Sequence, residues 1–173
     1  YDMVKEGVII TMRYQPTEPE PLSERTPTVR NVHLSGIIMR NANRAVAIYG
    51  LTEREVSQVS FSNMQIQAKK GILVENASDI SFHDIKMEIG EGTPFEGKDT
   101  KQISYDRVQI KTTAFDKPLL KFSNCQDIRI TNCYQPEIIP QFIWEDNKCI
   151  DTYITGNILP HTVTRTDKKG TNI

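Results

Sequence analysis

The amino-acid sequence predicts an all-β protein, a right-handed parallel β-helix of about six coils. A six-residue strand pattern, apolar at its first, third and sixth residues, returns about every two dozen residues. Its copies begin at Val32, Val59, Ile80, Ile103 and Ile128, and a degenerate copy begins at Thr152. The steps between these residues are 27, 21, 23, 25 and 24, so insertions fall between copies and never within them. Unequal steps of this size are typical of a β-solenoid, whose stacked coils form extended sheets.

A second apolar run follows the first strand in most coils and supports the same fold. It covers residues 45–48, 71–74, 118–122 and 141–144. Alternation within each short strand places every second side chain inside the coil. The third coil departs from this pattern, because a glycine-rich loop over residues 90–97 is expected in place of its second strand.

The remaining segments are assigned around these coils. Residues 4–12 have the pattern of a strand already under way, so we expect further sequence upstream of Tyr1. Residues 15–28 hold four of the nine prolines. Because proline removes a ladder donor and fixes φ, this segment is predicted to be an extended surface loop. The coils cover residues 1–158, and residues 159–173 are expected to form a polar tail or cap.

Charge and composition exclude several classes of partner. The 21 lysines and arginines nearly balance 22 aspartates and glutamates, so the net charge is −1 and no broad basic surface for nucleic acid is expected. No apolar run approaches the roughly 18–20 residues that span a bilayer, so no membrane partner is expected. The three cysteines lack the spacing of a zinc site, and no cofactor or metal is expected.

The acidic residues are better explained by turns and solvated surface than by catalysis. Asp79, Asp127 and Asp151 each precede a first strand, where an Asx-type turn would cap the corner between coils. The other acidic residues of interest form local pairs that are expected to be solvated: Glu18 with Glu20, Glu53 with Glu55, and Glu145 with Asp146.

The histidines are scattered along the chain and give no catalytic set. His33 and His83 fall on outward-facing strand positions, and His161 lies in the expected tail. Nothing marks a nucleophile and base that would meet in space, so no Ser-His-Asp or Cys-His arrangement is assigned.

Two cysteines and the tryptophan are assigned to the coil interior. Cys125 and Cys149 lie at matching places before first strands, where they are expected to stack as buried thiols. A disulfide between them is the less favoured alternative. Alternation predicts that Phe142 and Trp144 share one face, and burial in the second-strand core is favoured over a sugar-stacking platform.

Several stretches resemble a known enzyme family. The Ser-Glu-Arg-Thr-Pro stretch at residues 23–27, followed by residues 29–32 and 50–53, resembles the C-terminal half of glycoside hydrolase family 28. That is the polygalacturonase and rhamnogalacturonan hydrolase family, whose fold is a right-handed parallel β-helix. Residues 5–14 resemble the strand just downstream of that family's active site. The resemblance covers the chain to about residue 158, although pectate lyases and phage tailspikes share the solenoid pattern.

The resemblance implies part of a pectin-degrading enzyme that hydrolyses galacturonosyl or rhamnogalacturonan linkages with inversion. The family's catalytic aspartates, in Asn-Thr-Asp and Asp-Asp motifs, and its Gly-His-Gly and Arg-Ile-Lys motifs lie upstream of the region matched here, and this chain contains none of them. The chain alone is therefore expected to be inactive, with no catalytic residue of its own. Its implied partners are pectic polysaccharide or oligosaccharide and upstream coils of the same polypeptide, in a secreted or periplasmic protein.

The resemblance sets the N-terminal coils against the active site, and the substrate-contact candidates lie there. Lys5, Arg13, Arg25 and Arg30 are candidates to bind uronate carboxylates through charge-assisted hydrogen bonds. Tyr14 is a candidate to stack on a sugar or hydrogen-bond to it. For each residue taken singly, an ordinary surface charge or strand-end tyrosine is the simpler explanation. The alternative function is a non-catalytic polysaccharide-binding or structural β-helix module, since no catalytic motif is present.

Overall fold

The longest element, β4 (Val56–Thr112), is an extended run of 57 residues that crosses several coils. The structure, a computed structural model, describes residues 5–14, 19, 21–114, 116–135, 138–159 and 162–164. These residues form ten strands and no helix, and hence no helix that could cross a membrane. The strand pairings are parallel, and the strands stack as a β-solenoid of about five turns. The predicted parallel β-helix is therefore confirmed.

The other nine strands are short and lie on three sides of the coil. They are β1 (Glu6–Thr11), β2 (Arg30–Ser35), β3 (Ile38–Tyr49), β5 (Leu120–Ser123), β6 (Gln126–Thr131), β7 (Ile139–Gln141), β8 (Ile143–Glu145), β9 (Ile150–Thr155) and β10 (Thr162–Thr164).

We call the three sides faces A, B and C. Face A holds the predicted first strands: β2, β6, β9 and, within β4, residues 57–62, 80–85 and 101–106. Face B follows it and includes residues 38–42 of β3 beside residues 65–68 of β4. Face C holds the predicted second strands: β1, residues 44–49, 70–75 and 95–98, β5 and β8. The sequence pattern indicated faces A and C, but face B was not anticipated.

Residues with a left-handed backbone turn the chain at the corners. Because each turn takes a single residue, β4 continues from one face to the next without a loop. Among the described residues, fourteen that are not glycine have φ between 49° and 58°, and eleven of these are asparagine or aspartate, which tolerate this region best. The fifth residue of each copy of the strand pattern is always left-handed: Gly36, Asn63, Asp84, Arg107, Asn132 and Gly156. This corner separates face A from face B in every coil. Asp79, Asp127 and Asp151 have φ of 53°, 53° and 57° at the preceding corner, as expected of turn residues.

A column of aromatic rings fills the interior of the middle coils. Phe61 and Phe82 stack with ring centroids 5.1 Å apart, and Phe95 packs edge-on against Phe82 and Tyr105 at 5.3 Å. Phe95 also contacts Phe122 at 5.5 Å. All five rings are at most 1% exposed. Because face A supplies three of these rings and face C supplies two, the column joins the two faces into one core.

The prediction of a loop in the third coil was wrong. Residues 90–97 were expected to form a glycine-rich loop, but they lie within β4, and Phe95 pairs with Leu120 of the next coil. Pro94 packs tightly on Gly71, where an added Cβ would lie 1.8 Å from the Pro94 carbonyl oxygen. The glycines permit close backbone stacking here, and Phe95 supplies the apolar side chain that a second strand requires.

The loop, the tail and the cysteines complete the fold. The described part of the proline-rich loop, residues 21–28, contains no strand and includes a turn closed by a 3.1 Å hydrogen bond from the Thr26 N–H to the Ser23 carbonyl. In the segment assigned to the tail, β10 pairs with β7, while His161 and residues 165–173 lie outside the described residues. The cysteines are buried thiols outside any disulfide, as expected.

Candidate functional site

A groove runs along face B and crosses four neighbouring coils. Two adjoining pockets of about 650 and 480 Å³ form it, and they share Gln67, Glu88 and Lys111 in their lining. We call it the face B groove. Its other outward side chains come from matching places in the stacked coils: Arg40, Gln65, Lys69, Lys86 and Gln109.

Strict alternation along each strand builds this groove. The floor of the groove is formed by four side chains that point into the core, each at most 4% exposed: Met39, Ile66, Met87 and Ile110. The residues between and beside them point outward, because successive side chains of a strand lie on opposite faces. A sequence such as Ile-Lys-Met-Glu-Ile at residues 85–89 therefore places two charged groups in the groove and three apolar groups in the core.

The groove concentrates positive charge on a chain that is nearly neutral overall. The lining contains four cations and a single carboxylate, that of Glu88. The cations are Arg40, Lys69, Lys86 and Lys111. None of these five takes part in an ion pair with another described residue. These cations are therefore available to a ligand at little cost in lost internal contacts.

The spacing of the groove suits a linear ligand. Gln65, Lys86 and Gln109 follow one another at the same steps as the first strands of their coils, 21 and 23 residues. Neighbouring strands lie about 4.8 Å apart, so four coils present polar groups over roughly 14 Å along the solenoid axis. Glutamine amides donate and accept hydrogen bonds, whereas lysine and arginine only donate. The arrangement can bind hydroxyl and carboxylate groups repeated along a chain.

Arg13, a predicted substrate contact, is held by other protein groups. Its Nε donates to the Gly50 carbonyl oxygen at 3.0 Å, and its Nη1 pairs with the Glu75 carboxylate at 2.9 Å. Its guanidinium also lies over the Tyr49 ring, 5.0 Å from the centroid. These contacts give Arg13 a structural role at the end of face C.

The other four predicted contacts are exposed, at the two ends of β1, in the loop turn and at the start of β2. Lys5 is exposed just before β1, and Tyr14 is 77% exposed beyond the end of that strand. Arg25 is exposed in the loop turn, and Arg30 is exposed at the start of β2 on face A. No hydrogen bond or ion pair between described residues joins any two of the five. Arg54 holds the loop instead, through the Thr26 carbonyl and the Thr28 hydroxyl.

The sequence analysis missed the residues of the face B groove. The available signal was the alternation of polar and apolar residues directly after the fifth residue of the strand pattern. That alternation marks a further strand, and its outward positions are glutamine, lysine, arginine and glutamate.

Two of the histidines and several of the described acidic residues have structural partners. On face A, His83 lies between Asp84 and Asp106, and Arg107 bridges both aspartates; we call these four residues the face A ion cluster. The hydrogen bond from Arg107 lowers the pKa of Asp84, and the same pairing raises the pKa of Arg107. The other histidine of face A, His33, bonds to the Ser60 hydroxyl at 2.7 Å.

The acidic pairs expected to be solvated show no catalytic arrangement among the described residues, and the expectation was wrong for Glu145, which is buried. Glu55 pairs with Lys101 at 2.9 Å, and buried Glu145 accepts a hydrogen bond from Thr152. Burial raises the pKa of Asp146, but hydrogen bonds from the Asn124 and Lys148 amides outweigh it, so the pKa is lowered. Glu18 and Glu20 lie outside the described residues, and no metal-binding cluster of His, Cys, Asp and Glu occurs within the described part of the chain.

The prediction that Trp144 shares a face with Phe142 was wrong. Phe142 is buried at 2% exposure, whereas Trp144 is partly exposed and pairs in register with outward-facing Lys121. The Lys121 ammonium lies 5.5 Å from the Trp144 ring centroid. A bend in the chain at residues 142–143 buries both Phe142 and Ile143, which shifts the alternation by one residue. Lys121 then covers part of the ring that a sugar would use.

Comparison with known proteins finds no matching protein-family profile, no matching curated sequence and no matching solved structure.

Proposed function

We propose that these coils bind an extended pectic polysaccharide along the face B groove, as the C-terminal part of a pectin-degrading glycoside hydrolase. The observation that carries the binding proposal is the groove itself. It crosses four coils and presents four cations and three glutamines toward solvent. The hydrolase part rests on the resemblance of the chain, to about residue 158, to glycoside hydrolase family 28.

The chemistry of the groove matches a chain of uronic acids. Lysine and arginine form charge-assisted hydrogen bonds with carboxylates, which are stronger than those between neutral groups. The glutamines supply both donors and acceptors for sugar hydroxyls. A neutral polysaccharide has no negative charge to pair with the four cations, so they favour an acidic one. Nucleic acid is a weaker candidate, since the net charge of the whole chain is −1.

The proposed hydrolase carries its acid and base upstream of these coils, as the resemblance implies. Inverting hydrolysis needs two carboxyl groups about 6.5–9.5 Å apart, of which one is a general acid with a raised pKa. Each described aspartate with a shifted pKa, namely Asp84, Asp106 and Asp146, is shifted downward. This supports a chain that binds and walls the substrate without cleaving it.

Calorimetric titration with oligogalacturonate tests the binding proposal. Saturable binding is expected, and a neutral galactan oligomer of equal length should bind at least about tenfold more weakly. The double variant K86Q/K111Q should lose about tenfold in affinity, because two charge-assisted contacts are removed. A matched double variant outside the groove, K98Q/K148Q, should bind as the wild type does. Equal loss in both double variants, or no heat with any oligomer, would overturn the proposal.

A reducing-end assay on the same protein tests the proposal that these coils do not cleave the polymer by themselves. We expect no reducing ends from polygalacturonate or rhamnogalacturonan. Turnover that disappears in D127N would contradict it, because Asp127 is a left-handed corner residue that binds Arg129 at 2.9 Å.

A non-catalytic polysaccharide-binding module is the second candidate function, because the chain contains none of the family's catalytic motifs. The two candidates differ in the size of the native gene product. Intact mass in the source cells, with upstream peptides that carry Asn-Thr-Asp and Asp-Asp, would support the hydrolase. A native mass of 19.8 kDa would support the module. Either candidate implies a secreted or periplasmic location, where pectic polymers occur.

A further inference from the structure

Cys125 and Cys149 lie side by side on neighbouring coils. Cys125 directly precedes β6 and Cys149 directly precedes β9, and the register pairs the next residues, Gln126 with Ile150. The Ile150 N–H donates to the Cys125 carbonyl at 3.0 Å, which fixes the two backbones together at this point. Matching residues on adjacent strands lie about 4.8 Å apart, within the range of Cα separations that a disulfide spans.

Both thiols lie on the buried side of the same corner. The Thr100 hydroxyl lies 3.0 Å from the Cys125 sulfur, and the Cys149 thiol donates to the Asp146 carboxylate at 3.4 Å. Both cysteines are at most 2% exposed. The interactions with the Cys149 thiol and the Thr100 hydroxyl outweigh burial and lower the pKa of Cys125.

Cys133 provides an internal contrast. It is also buried, but its thiol donates to the Thr131 carbonyl at 3.4 Å and contacts no other cysteine. Burial raises its pKa to about 11. The chain therefore offers two adjacent thiols and one isolated thiol in the same solenoid.

We propose that Cys125 and Cys149 form a redox site that closes to an inter-coil disulfide in the presence of a small-molecule disulfide oxidant. The thiolate of one cysteine attacks a sulfur of oxidised glutathione and releases one glutathione thiolate. The second cysteine loses its proton, attacks the resulting mixed disulfide at the protein sulfur, and releases the second glutathione. Two protein S–H groups are thus oxidised to one S–S bond, while one glutathione disulfide is reduced to two thiols.

The disulfide would fasten the coil that contains β9. In a solenoid each coil is stabilised by its neighbours, and β9 pairs with β6 alone among the strands described. Its apolar residues are poorly covered: Ile150 is 52% exposed and Tyr153 is 60% exposed. Opening of this coil admits the oxidant, and closure of the S–S bond then opposes that opening. Oxidising compartments favour such bonds, so the site is suited to a secreted or periplasmic protein.

The test compares one protein in two redox states. The full chain is reduced, dialysed and incubated with graded oxidised glutathione, and the remaining thiols are alkylated before mass spectrometry. We expect a species two hydrogens lighter, a linked peptide pair containing Cys125 and Cys149, and an alkylated Cys133. The melting temperature of the oxidised form should be higher by about 5–10 °C, because the bond constrains the unfolded chain. Amide exchange in residues 150–155 should slow in the oxidised form.

A matched variant controls for the third cysteine. C133A should form the same linked peptides and show the same shift in melting temperature. Glutathione retained as a mixed disulfide, linkage that involves Cys133, or a linked form with unchanged exchange in residues 150–155 would overturn the proposal. The outcome does not depend on polysaccharide binding, so it leaves the proposed function separately testable.

Discussion

Faces A and B carry charged side chains on neighbouring sides of the same coils, but they use these charges differently. On face A, Arg107 pairs with Asp84 at 2.7 Å and also binds Asp106, and on the same face Arg129 pairs with Asp127 at 2.9 Å. On face B, Lys86 and Lys111 line a groove and make no ion pair with any described residue. Paired charges satisfy one another within the fold, whereas the charges of face B point toward solvent.

The difference follows from where each charge lies relative to a corner. Arg107 has a left-handed backbone, which is unfavourable for a side chain with a Cβ, and its ion pairs with Asp84 and Asp106 help to hold it there. Lys86 and Lys111 of face B lie within β4 and have no left-handed backbone that needs such support. Face A therefore uses charge for stability, whereas the groove charges of face B stay outside ion pairs with described residues.

The largest effect is expected from the core that both faces share. Phe82 is fully buried among Phe61, Phe95 and Tyr105. Phe82→Ala should lower the free energy of unfolding by about 3–5 kcal/mol, because it removes a buried ring and leaves a cavity. Differential scanning calorimetry should show one transition at lower temperature.

The neighbouring variant Ser81→Ala is the control. Ser81 alternates with Phe82 and points outward on face A, so its loss should change the free energy of unfolding by less than about 0.5 kcal/mol. Two separate transitions in Phe82→Ala would contradict a common core and would make the two faces independent units.

A smaller effect, confined to binding, is expected from a carboxylate placed in the groove. Gln67 lies in both pockets of the face B groove, so Gln67→Glu should weaken oligogalacturonate binding about tenfold through repulsion of uronate carboxylates. The matched change on face A is Ser104→Glu, beside Arg129 in the register. It alters net charge equally but should leave the affinity unchanged within about twofold, since salt screens charges beyond about 8–10 Å. Titration calorimetry of both variants distinguishes a local groove from a general charge effect.

The sequence allowed the fold to be predicted, but the face B groove was not recognised in it. The first-strand pattern located the interior residues of face A because period-two alternation and repeat length are written directly in the residue order. Face B was missed because its strands begin directly after the left-handed fifth residue, with no loop to separate them. The third coil was misjudged because glycine was taken to indicate a loop, whereas Gly71 and Gly97 permit close stacking. Pairing of distant charges, such as Arg13 with Glu75, depends on coil register and has no local signal.

The smallest effect should appear in the pH dependence of stability on face A. Burial raises the pKa of Asp106, but hydrogen bonds from Thr131 and Asn132 and the charge of Arg107 outweigh it, so the folded pKa lies below the ordinary value. Such a carboxylate stabilises the fold above its unfolded pKa of about 3.9, and this contribution is lost as the pH falls through the folded pKa. Asp106→Asn should therefore melt at a lower temperature than the wild type at pH 6, and the difference should shrink below about pH 4. Glu88→Gln removes one negative charge from face B, where no ion pair depends on it, and its melting temperature should follow that of the wild type across the same range. A constant difference between Asp106→Asn and the wild type at every pH would mean that face A relies on packing at this position and not on charge.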